Sequence, residues 1–199
     1  IAVKIRTLEL LSVLDMLCLV ILIVIQTLAA MKMSVLNKLL EQRAYTDAHT
    51  GLPNKDACEV LLNNKETVAK HTACMMFDLN NLKIINDTKG HSKGDQLILN
   101  FARLLRNVIP QKDFVGRYGG DEFMVVIYNT SKTEIEDILK QLSREKDRLN
   151  SSGNNMPIDY ACGWAISDAD SECTIQMLLD KADYYMYENK QAYKKSKKS

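Results

Sequence analysis

The sequence has no excess of charge of either sign, and its cysteines follow no metal-binding or disulfide pattern. Its 199 residues include 26 lysines and arginines and 25 aspartates and glutamates, so we expect no nucleic acid as partner. The five cysteines are odd in number and never form Cys-x-x-Cys, which favours a reduced, cytosolic setting for the folded part. No cluster of histidines and cysteines predicts a zinc site.

Glycine and proline are missing from the start of the chain, where neither occurs before Gly51. Charge is also missing from Met16 to Met31, and nine of these sixteen residues are Leu, Ile or Val. Their insertion free energies sum to about −3 to −5 kcal/mol. A membrane span needs about 20 residues. The segment from Leu8 to Met31 is long enough only if Glu9 and Asp15 lie near the membrane interface. We therefore predict a transmembrane or hydrophobic helix at residues 1–31, and a soluble helix buried in a dimer is the alternative.

Helical periodicity continues beyond the uncharged stretch. Four apolar residues share one face of a helix from Lys32 to Arg43: Val35, Leu36, Leu39 and Leu40. This pattern predicts a signalling stalk at residues 32–46 that pairs with a second copy as a short coiled coil. The alternative is that this apolar face packs against the folded domain of the same chain. Because the chain starts with Ile1 rather than Met, we expect an upstream segment.

The rest of the chain alternates predicted strands and helices. Strands are predicted at residues 72–78, 114–118, 123–128 and 157–166, and helices at 55–63, 81–87, 93–108, 133–150 and 174–190. This order predicts an α/β (α+β) domain, in which helices flank a central, mainly antiparallel sheet after a long N-terminal helix. Residues 194–199 form a basic tail.

The stretch from Arg117 to Ile127 joins two predicted strands through Gly119 and Gly120. Glycine accepts positive φ at both central positions of a two-residue hairpin turn, so we predict such a turn here. A tip made of backbone alone lets a bulky ligand come close. Asp121 and Glu122 follow at the start of an apolar strand, which indicates functional carboxylates. An ordinary hairpin with a solvated tip is the alternative.

Asp78 ends the first predicted strand of the domain. If that strand end lies beside the glycine tip, the carboxylates of Asp78 and Asp121 converge, with the Leu79 carbonyl nearby. Hard oxygen ligands of this kind suit Mg²⁺, which prefers few protein ligands together with phosphate and water oxygens. The sequence therefore predicts a Mg²⁺ site at these three residues, with Mn²⁺ as the alternative ion.

Four motifs in this order resemble the GGDEF family of diguanylate cyclases, over residues 47–193. They are Asp-Ala-His-Thr-Gly-Leu-Pro-Asn at 47–54, Phe-Asp-Leu-Asn-Asn-Leu-Lys at 77–83, Gly-His-Ser-Lys-Gly-Asp at 90–95 and Gly-Gly-Asp-Glu-Phe at 119–123. The resemblance implies a palm-like nucleotidyl-cyclase domain. It also implies a Mg²⁺-dependent homodimer that condenses two GTP into cyclic di-GMP and two pyrophosphates.

The resemblance further implies roles for single residues. Asp121 would hold the metal or act as the base, Glu122 would support the metal or the attacking hydroxyl, and Lys83 would contact the phosphates. Lys83 as an ordinary surface lysine and His91 as a helix-capping residue are the alternatives. Positions that match the substrate-binding residues are Asn86 and Asp95 for guanine, His91 near the base, and Lys190 and Lys194 for the terminal phosphates.

By the same resemblance, the catalytic domain is expected in the cytoplasm of a bacterium, anchored to the inner membrane. One motif departs from the family. The product-inhibition motif Arg-x-x-Asp has Pro110 in place of the arginine and keeps Asp113, so we predict weak or absent product inhibition there. The alternative for the whole chain is a catalytically silent GGDEF domain that acts as a GTP-binding or protein-interaction regulatory module.

Overall fold

The computed structural model describes residues 2–152, 157–167 and 172–196, with side chains from residue 11 onward except those of Lys194 and Ser196. The described helices are α1 (Ala2–Tyr45), α2 (Lys55–Leu62), α3 (Leu82–Lys89), α4 (His91–Val108), α5 (Lys132–Ser151) and α6 (Ile175–Ser196). The described strands are β1 (Ala73–Leu79), β2 (Phe114–Arg117), β3 (Glu122–Ile127) and β4 (Tyr160–Ile166). Helix α6 thus includes the first residues of the predicted basic tail, and residues 197–199 lie outside the described part.

The four strands form one sheet in the order β2-β3-β1-β4. Every neighbouring pair is antiparallel, which confirms the predicted fold class. All seven residues of β1 are buried, as expected of a central strand that is covered on both faces. The register pairs Asp78 of β1 with Glu122 of β3 on one side and with Ala161 of β4 on the other. The two acids therefore lie at the same end of the sheet.

Side chains of β1 alternate between two apolar clusters, because successive residues of a strand point to opposite faces. Met75 and Phe77 pack in the cluster that holds Phe101 of α4. Cys74 and Met76 pack in the cluster that holds the buried face of α6. The Phe77 and Phe101 rings meet edge to face at 5.8 Å between centroids. Each such side chain contributes roughly 1.5–3 kcal/mol of burial free energy, so the core fixes the sheet between two helical layers.

Helix α6 approaches the sheet very closely at one point. A Cβ atom at Gly163 of β4 would overlap the carbonyl of Ala182 and the amide nitrogen of Met186. Glycine at this position therefore lets the helix backbone lie directly on β4. The close crossing brings the C-terminal half of α6 to the end of the sheet where Asp78 lies.

Helix α1 runs without interruption from Ala2 to Tyr45, as the missing glycines and prolines predict. Contacts divide the chain into two units, residues 1–44 and residues 45–199. The apolar side chains of α1 from Leu11 onward are exposed. By its length and composition, α1 is a candidate membrane span.

Candidate active site

The pairing of β1 with β3 brings the predicted carboxylates together. Asp78 stands opposite Glu122, and the Leu79 amide donates a hydrogen bond to the Asp121 carbonyl at 2.9 Å. Asp78 and Asp121 are therefore neighbours across two adjacent strands, although 43 positions separate them in the sequence. An arrangement with these two acids on opposite sides of the domain would have excluded a shared ion.

The hairpin tip differs from the predicted two-residue turn. The amides of Tyr118 and Gly119 both donate to the Glu122 carbonyl, at 2.9 and 3.1 Å, so three residues form the tip. Neither Gly119 nor Gly120 has positive φ. The predicted two-residue form of the turn is therefore wrong, although the hairpin itself lies where it was predicted. Arg117 contacts the tip through a hydrogen bond from Nη2 to the Gly120 carbonyl at 2.8 Å.

The two tip glycines have different surroundings. A Cβ at Gly119 would lie 2.6 Å from Glu122 Oε2, so a side chain at this position would displace the carboxylate. A Cβ at Gly120 would meet nothing within 4 Å. Gly119 thus makes room for Glu122, whereas the space beside Gly120 is free for a ligand.

Lys190 of α6 reaches the buried acid. Its Nζ lies 2.6 Å from Asp78 Oδ2, and Asp78 is only 6% exposed. The other oxygen, Asp78 Oδ1, is buried and has no hydrogen-bond partner among the described residues. A buried carboxylate oxygen without a donor is unfavourable, so Asp78 has an acceptor free for a cation.

Glu122 lies among several other acidic side chains, and their charges affect its pKa. Burial raises the pKa of Glu122, and the neighbouring Asp121, Asp78 and Asp183 raise it further, while Lys190 lowers it. Asp183 was missed by the sequence reasoning. Its signal is its spacing of seven residues from Lys190, about two helical turns, which places both on one face of α6.

The donor set fits Mg²⁺ rather than a metal held by protein alone. In the part of the chain that the structure describes, no three His, Cys, Asp or Glu side chains form a ready metal site. Asp78 Oδ1 lacks a partner, and the next residue, Leu79, is joined to Asp121 by a backbone hydrogen bond, so the predicted ligands belong to adjoining segments. Mg²⁺ usually completes such a set with phosphate oxygens and water.

Helices α3 and α4 carry the predicted nucleotide contacts. Lys83 is exposed in the first turn of α3, and Asn86 is half-buried later in the same helix. A Cβ at Gly94 would overlap the Asn86 amide, so Asn86 lies against the start of α4, next to the exposed Asp95. The two predicted guanine contacts are thereby brought together.

Two further predicted residues lie near the ends of helices. Gly90 is the N-cap of α4, and His91 follows as its first residue with an exposed side chain. Lys194 belongs to the last turns of α6, but its side chain lies outside the described residues. The roles of both residues remain predictions.

Residues 44–196 match the family described as diguanylate cyclase, GGDEF domain. The chain belongs to the GGDEF family. Diguanylate cyclase DgcP of Escherichia coli is 30% identical over 165 residues, which cover 80% of this chain and 48% of that protein. Cyclic di-GMP phosphodiesterase PdeB of Shewanella oneidensis is 32% identical over 146 residues, covering 72% of this chain and 17% of that protein. This chain therefore spans less than half the length of either relative.

Solved GGDEF domains share the fold. The GGDEF domain of DgcB from Caulobacter crescentus, in complex with cyclic di-GMP, is 25% identical with a TM-score of 0.63. The match covers 75% of this chain and 91% of that one. The resemblance predicted from the four motifs is confirmed for the family and the fold.

The GGDEF domain also contains a connection that the sequence reasoning missed. Arg117 contacts both Asp47 carboxylate oxygens through Nη1, at 3.2 and 3.1 Å, and holds the Gly120 carbonyl through Nη2. Thr50 donates to the same carboxylate through its amide and its hydroxyl. The segment after α1 is thus tied to the glycine tip. The sequence offers no local signal for this contact, because 70 positions separate Asp47 from Arg117.

Proposed function

We propose that this GGDEF domain is a diguanylate cyclase that condenses two GTP into cyclic di-GMP. In each half-reaction the 3′-hydroxyl of one GTP loses its proton and its oxygen forms a bond to the α-phosphorus of the other. The bond from that phosphorus to the leaving oxygen breaks, and pyrophosphate departs. The observation that carries the proposal is the pairing of Asp78 with the Asp121–Glu122 segment beside the glycine tip.

In this proposal the acidic residues hold the metal ion and accept the proton, whereas the lysines bind the phosphates. Asp78, Asp121 and the Leu79 carbonyl would hold Mg²⁺, or Mn²⁺, which when bound lowers the pKa of the attacking hydroxyl and neutralises the phosphate oxygens. Asp121 or Glu122 accepts the proton of that hydroxyl. Lys190, which lies 2.6 Å from Asp78, and Lys83 bind the phosphates as compact positive charges.

The base is selected by Asn86 and Asp95. A carboxylate accepts hydrogen bonds from the N1–H and the exocyclic amino group of guanine. Adenine cannot supply this pair of donors, and an unpaired polar group in a binding site discriminates strongly against the wrong substrate. GTP is therefore the substrate rather than ATP.

Ring closure requires two copies of the domain. Each site holds one GTP, so two sites must face each other. The stalk at residues 32–46 holds two copies together, which raises the effective concentration of one domain for the other to the order of millimolar. Helix α1 anchors the homodimer in the inner membrane with the catalytic domain in the cytoplasm.

The test is a product assay with the full chain in mild detergent, Mg²⁺ and either GTP or ATP. Wild type is expected to form cyclic di-GMP from GTP alone. Asp121→Ala is expected to lose activity by about 10² or more, because it removes a ligand of the metal ion or the base that accepts the hydroxyl proton. Asp180→Ala is the control, since Asp180 is an exposed aspartate of α6 that accepts a hydrogen bond from Gln176. Full activity of Asp121→Ala, or a product from ATP, would contradict the proposal.

A regulatory GGDEF domain without turnover is the second candidate. The observation that favours it is the similarity of this chain to PdeB, a protein named for the opposite activity. The ion pair between Lys190 and Asp78 also neutralises the acid in the absence of any metal. Saturable GTP binding without formation of cyclic di-GMP in the same assay would favour this function.

A further inference from the structure

A short loop between α1 and α2 contacts the first turns of α4. Two backbone hydrogen bonds of 2.8 Å close this loop, one from the Asp47 amide to the Leu52 carbonyl and one from the Gly51 amide to the Asp47 carbonyl. Leu52 is 1% exposed and anchors the loop in the core. The Asp47 carboxylate also accepts hydrogen bonds from Thr50. The backbone of His49, between Asp47 and Thr50, is therefore held in one place.

The side chain of His49 contacts a residue that the proposed function assigns to guanine. Its Nε2 lies 2.9 Å from the Asp95 carbonyl oxygen, 46 positions further along the chain. A carbonyl oxygen only accepts hydrogen bonds, so Nε2 carries the proton. In the neutral ring Nδ1 is then an acceptor, and among the described residues it has no hydrogen-bond partner. Both nitrogens belong to one small ring, so the unpaired acceptor also lies near Asp95.

Guanine presents more donors than one carboxylate can accept. Its edge carries N1–H and an exocyclic amino group with two hydrogens, of which the Asp95 carboxylate pairs with N1–H and one amino hydrogen. The amide of Asn86 has two N–H donors and suits a ring acceptor of the base. The second amino hydrogen still needs an acceptor, because a polar group left unpaired in a binding site weakens binding.

We propose that His49 is a specificity-determining residue of the guanine site, where its Nδ1 accepts the second hydrogen of the exocyclic amino group. Asp95 then recognises N1–H and one amino hydrogen, and His49 recognises the other. The loop that carries His49 is also tied to the glycine tip by the pair of Asp47 with Arg117, so one closed segment contacts both parts of the candidate site. This inference rests on the proposed function for the identity of the base, but it does not require turnover.

The test compares two nucleotides that differ only in the amino group. They are the α,β-methylene analogues of GTP and ITP, which cannot release pyrophosphate, and the ITP analogue has hydrogen in place of the amino group. Isothermal titration calorimetry measures their binding to the full chain in mild detergent with Mg²⁺ at pH 8, where an ordinary imidazole is neutral. His49→Phe keeps a planar ring but removes both nitrogens. It is expected to raise the Kd of the GTP analogue about three- to tenfold and to leave the Kd of the ITP analogue unchanged.

Two further variants separate recognition of the base from support of the loop. His49→Gln keeps a donor for the Asp95 carbonyl and an acceptor, so it is expected to restore most of the difference between the two analogues. His71→Asn controls for the loss of an exposed histidine and should leave both Kd values unchanged. His71 precedes β1, at the opposite end of that strand from Asp78, and asparagine tolerates its φ of 64°. Equal weakening of both analogues in His49→Phe, or unchanged binding of the GTP analogue, would overturn the proposal.

Failure of this inference can be told apart from failure of the proposed cyclase. Wild type that forms cyclic di-GMP, with both analogues weakened equally by His49→Phe, would overturn the role of His49 alone. Wild type that forms no cyclic di-GMP but loses affinity only for the GTP analogue in His49→Phe would contradict the cyclase and support the role of His49. Wild type that binds neither analogue would overturn both.

Discussion

The two glycines at the hairpin tip differ in what an added Cβ atom would contact. Gly119 and Gly120 are adjacent, and neither needs positive φ. Only at Gly119 would a Cβ collide with Glu122, at 2.6 Å from Oε2. A side chain at position 119 would therefore move the Glu122 carboxylate, whereas one at position 120 would enter open space.

Alanine substitutions at the two glycines test this difference in surroundings. Gly119→Ala is expected to lower kcat by about 10–10² because it displaces Glu122 from the reacting groups. Gly120→Ala is expected to raise the KM for GTP with little change in unfolding temperature, because its Cβ enters open space. Steady-state kinetics and thermal unfolding of the two variants check both outcomes. Equal kinetic effects of the two substitutions would show that the steric argument is wrong.

Asp113 serves the fold in this chain. It is 6% exposed, and its Oδ1 accepts a hydrogen bond from the Tyr128 amide at 3.1 Å. Pro110 occupies the position where the family's product-inhibition motif has arginine, and proline offers no bidentate donors for phosphate or guanine. A buried aspartate without its arginine partner is poorly suited to hold a dinucleotide.

We therefore expect cyclic di-GMP to inhibit the proposed cyclase weakly or not at all through this site. Asp113→Asn is expected to leave the dependence of the rate on added cyclic di-GMP unchanged. The same substitution is expected to lower the free energy of unfolding by about 1 kcal/mol, through the weaker hydrogen bond to Tyr128. Inhibition at micromolar product that disappears in Asp113→Asn would contradict this prediction.

At the scale of elements, Arg117 joins the segment after α1 to the β2–β3 hairpin. It binds the Asp47 carboxylate on one side and the Gly120 carbonyl on the other. Burial raises the pKa of Asp47, but the hydrogen bonds from Thr50 and the Arg117 guanidinium outweigh burial and hold the pKa below its ordinary value. The ionised carboxylate is thus the form that the folded protein prefers.

Because folding favours the ionised form of Asp47, the free energy of unfolding depends on pH. Because the pKa is depressed by folding, Asp47 stabilises the native state above the unfolded value of about 3.9, and the effect is lost as the pH falls through the folded value. Asp47→Asn is expected to be less stable than wild type at pH 7, with a difference that shrinks below about pH 4. Denaturant unfolding at several pH values measures it. Asp137→Asn, at an exposed aspartate of α5, should show little difference at any pH, and a constant deficit in Asp47→Asn would rule out the charge as the cause.

At the scale of the whole molecule, α1 is the part without a core of its own. Its side chains from Leu11 to Met31 are exposed and almost all apolar. Exposed apolar surface of this extent marks a membrane or protein contact. In the function proposed above, catalysis by facing half-sites and anchoring by α1 would belong to one arrangement, in which the helix sets the local concentration of the domains.

Removal of residues 1–31 tests this arrangement. The truncated chain is expected to leave the membrane fraction, and its specific cyclase activity should rise with protein concentration because two domains must meet. A leucine zipper fused before residue 32 is expected to restore activity that is independent of concentration. Truncated protein that remains fully active when diluted to nanomolar concentration would show that a single domain closes the ring.

Local patterns in the sequence were enough to determine the elements and their order. The apolar run of β1 and the absence of glycine and proline before Gly51 predicted a buried strand and one long helix, since both features act within a few residues. The meeting of Asp78 and Asp121 was a hypothesis that depended on the first strand lying beside the hairpin, and the strand order β2-β3-β1-β4 places it there.

Only the tertiary structure decided the conformation of the tip and the partners of the acids. The tip has a three-residue form, and Arg117, which contacts its Gly120 carbonyl, is held by Asp47, 70 positions away. Lys190 and Asp183 reach Asp78 and Glu122 because glycine at position 163 lets α6 lie on the sheet, and 112 positions separate Lys190 from Asp78. Contacts between such distant residues depend on the packing of the whole domain, and no local pattern in the chain contains them.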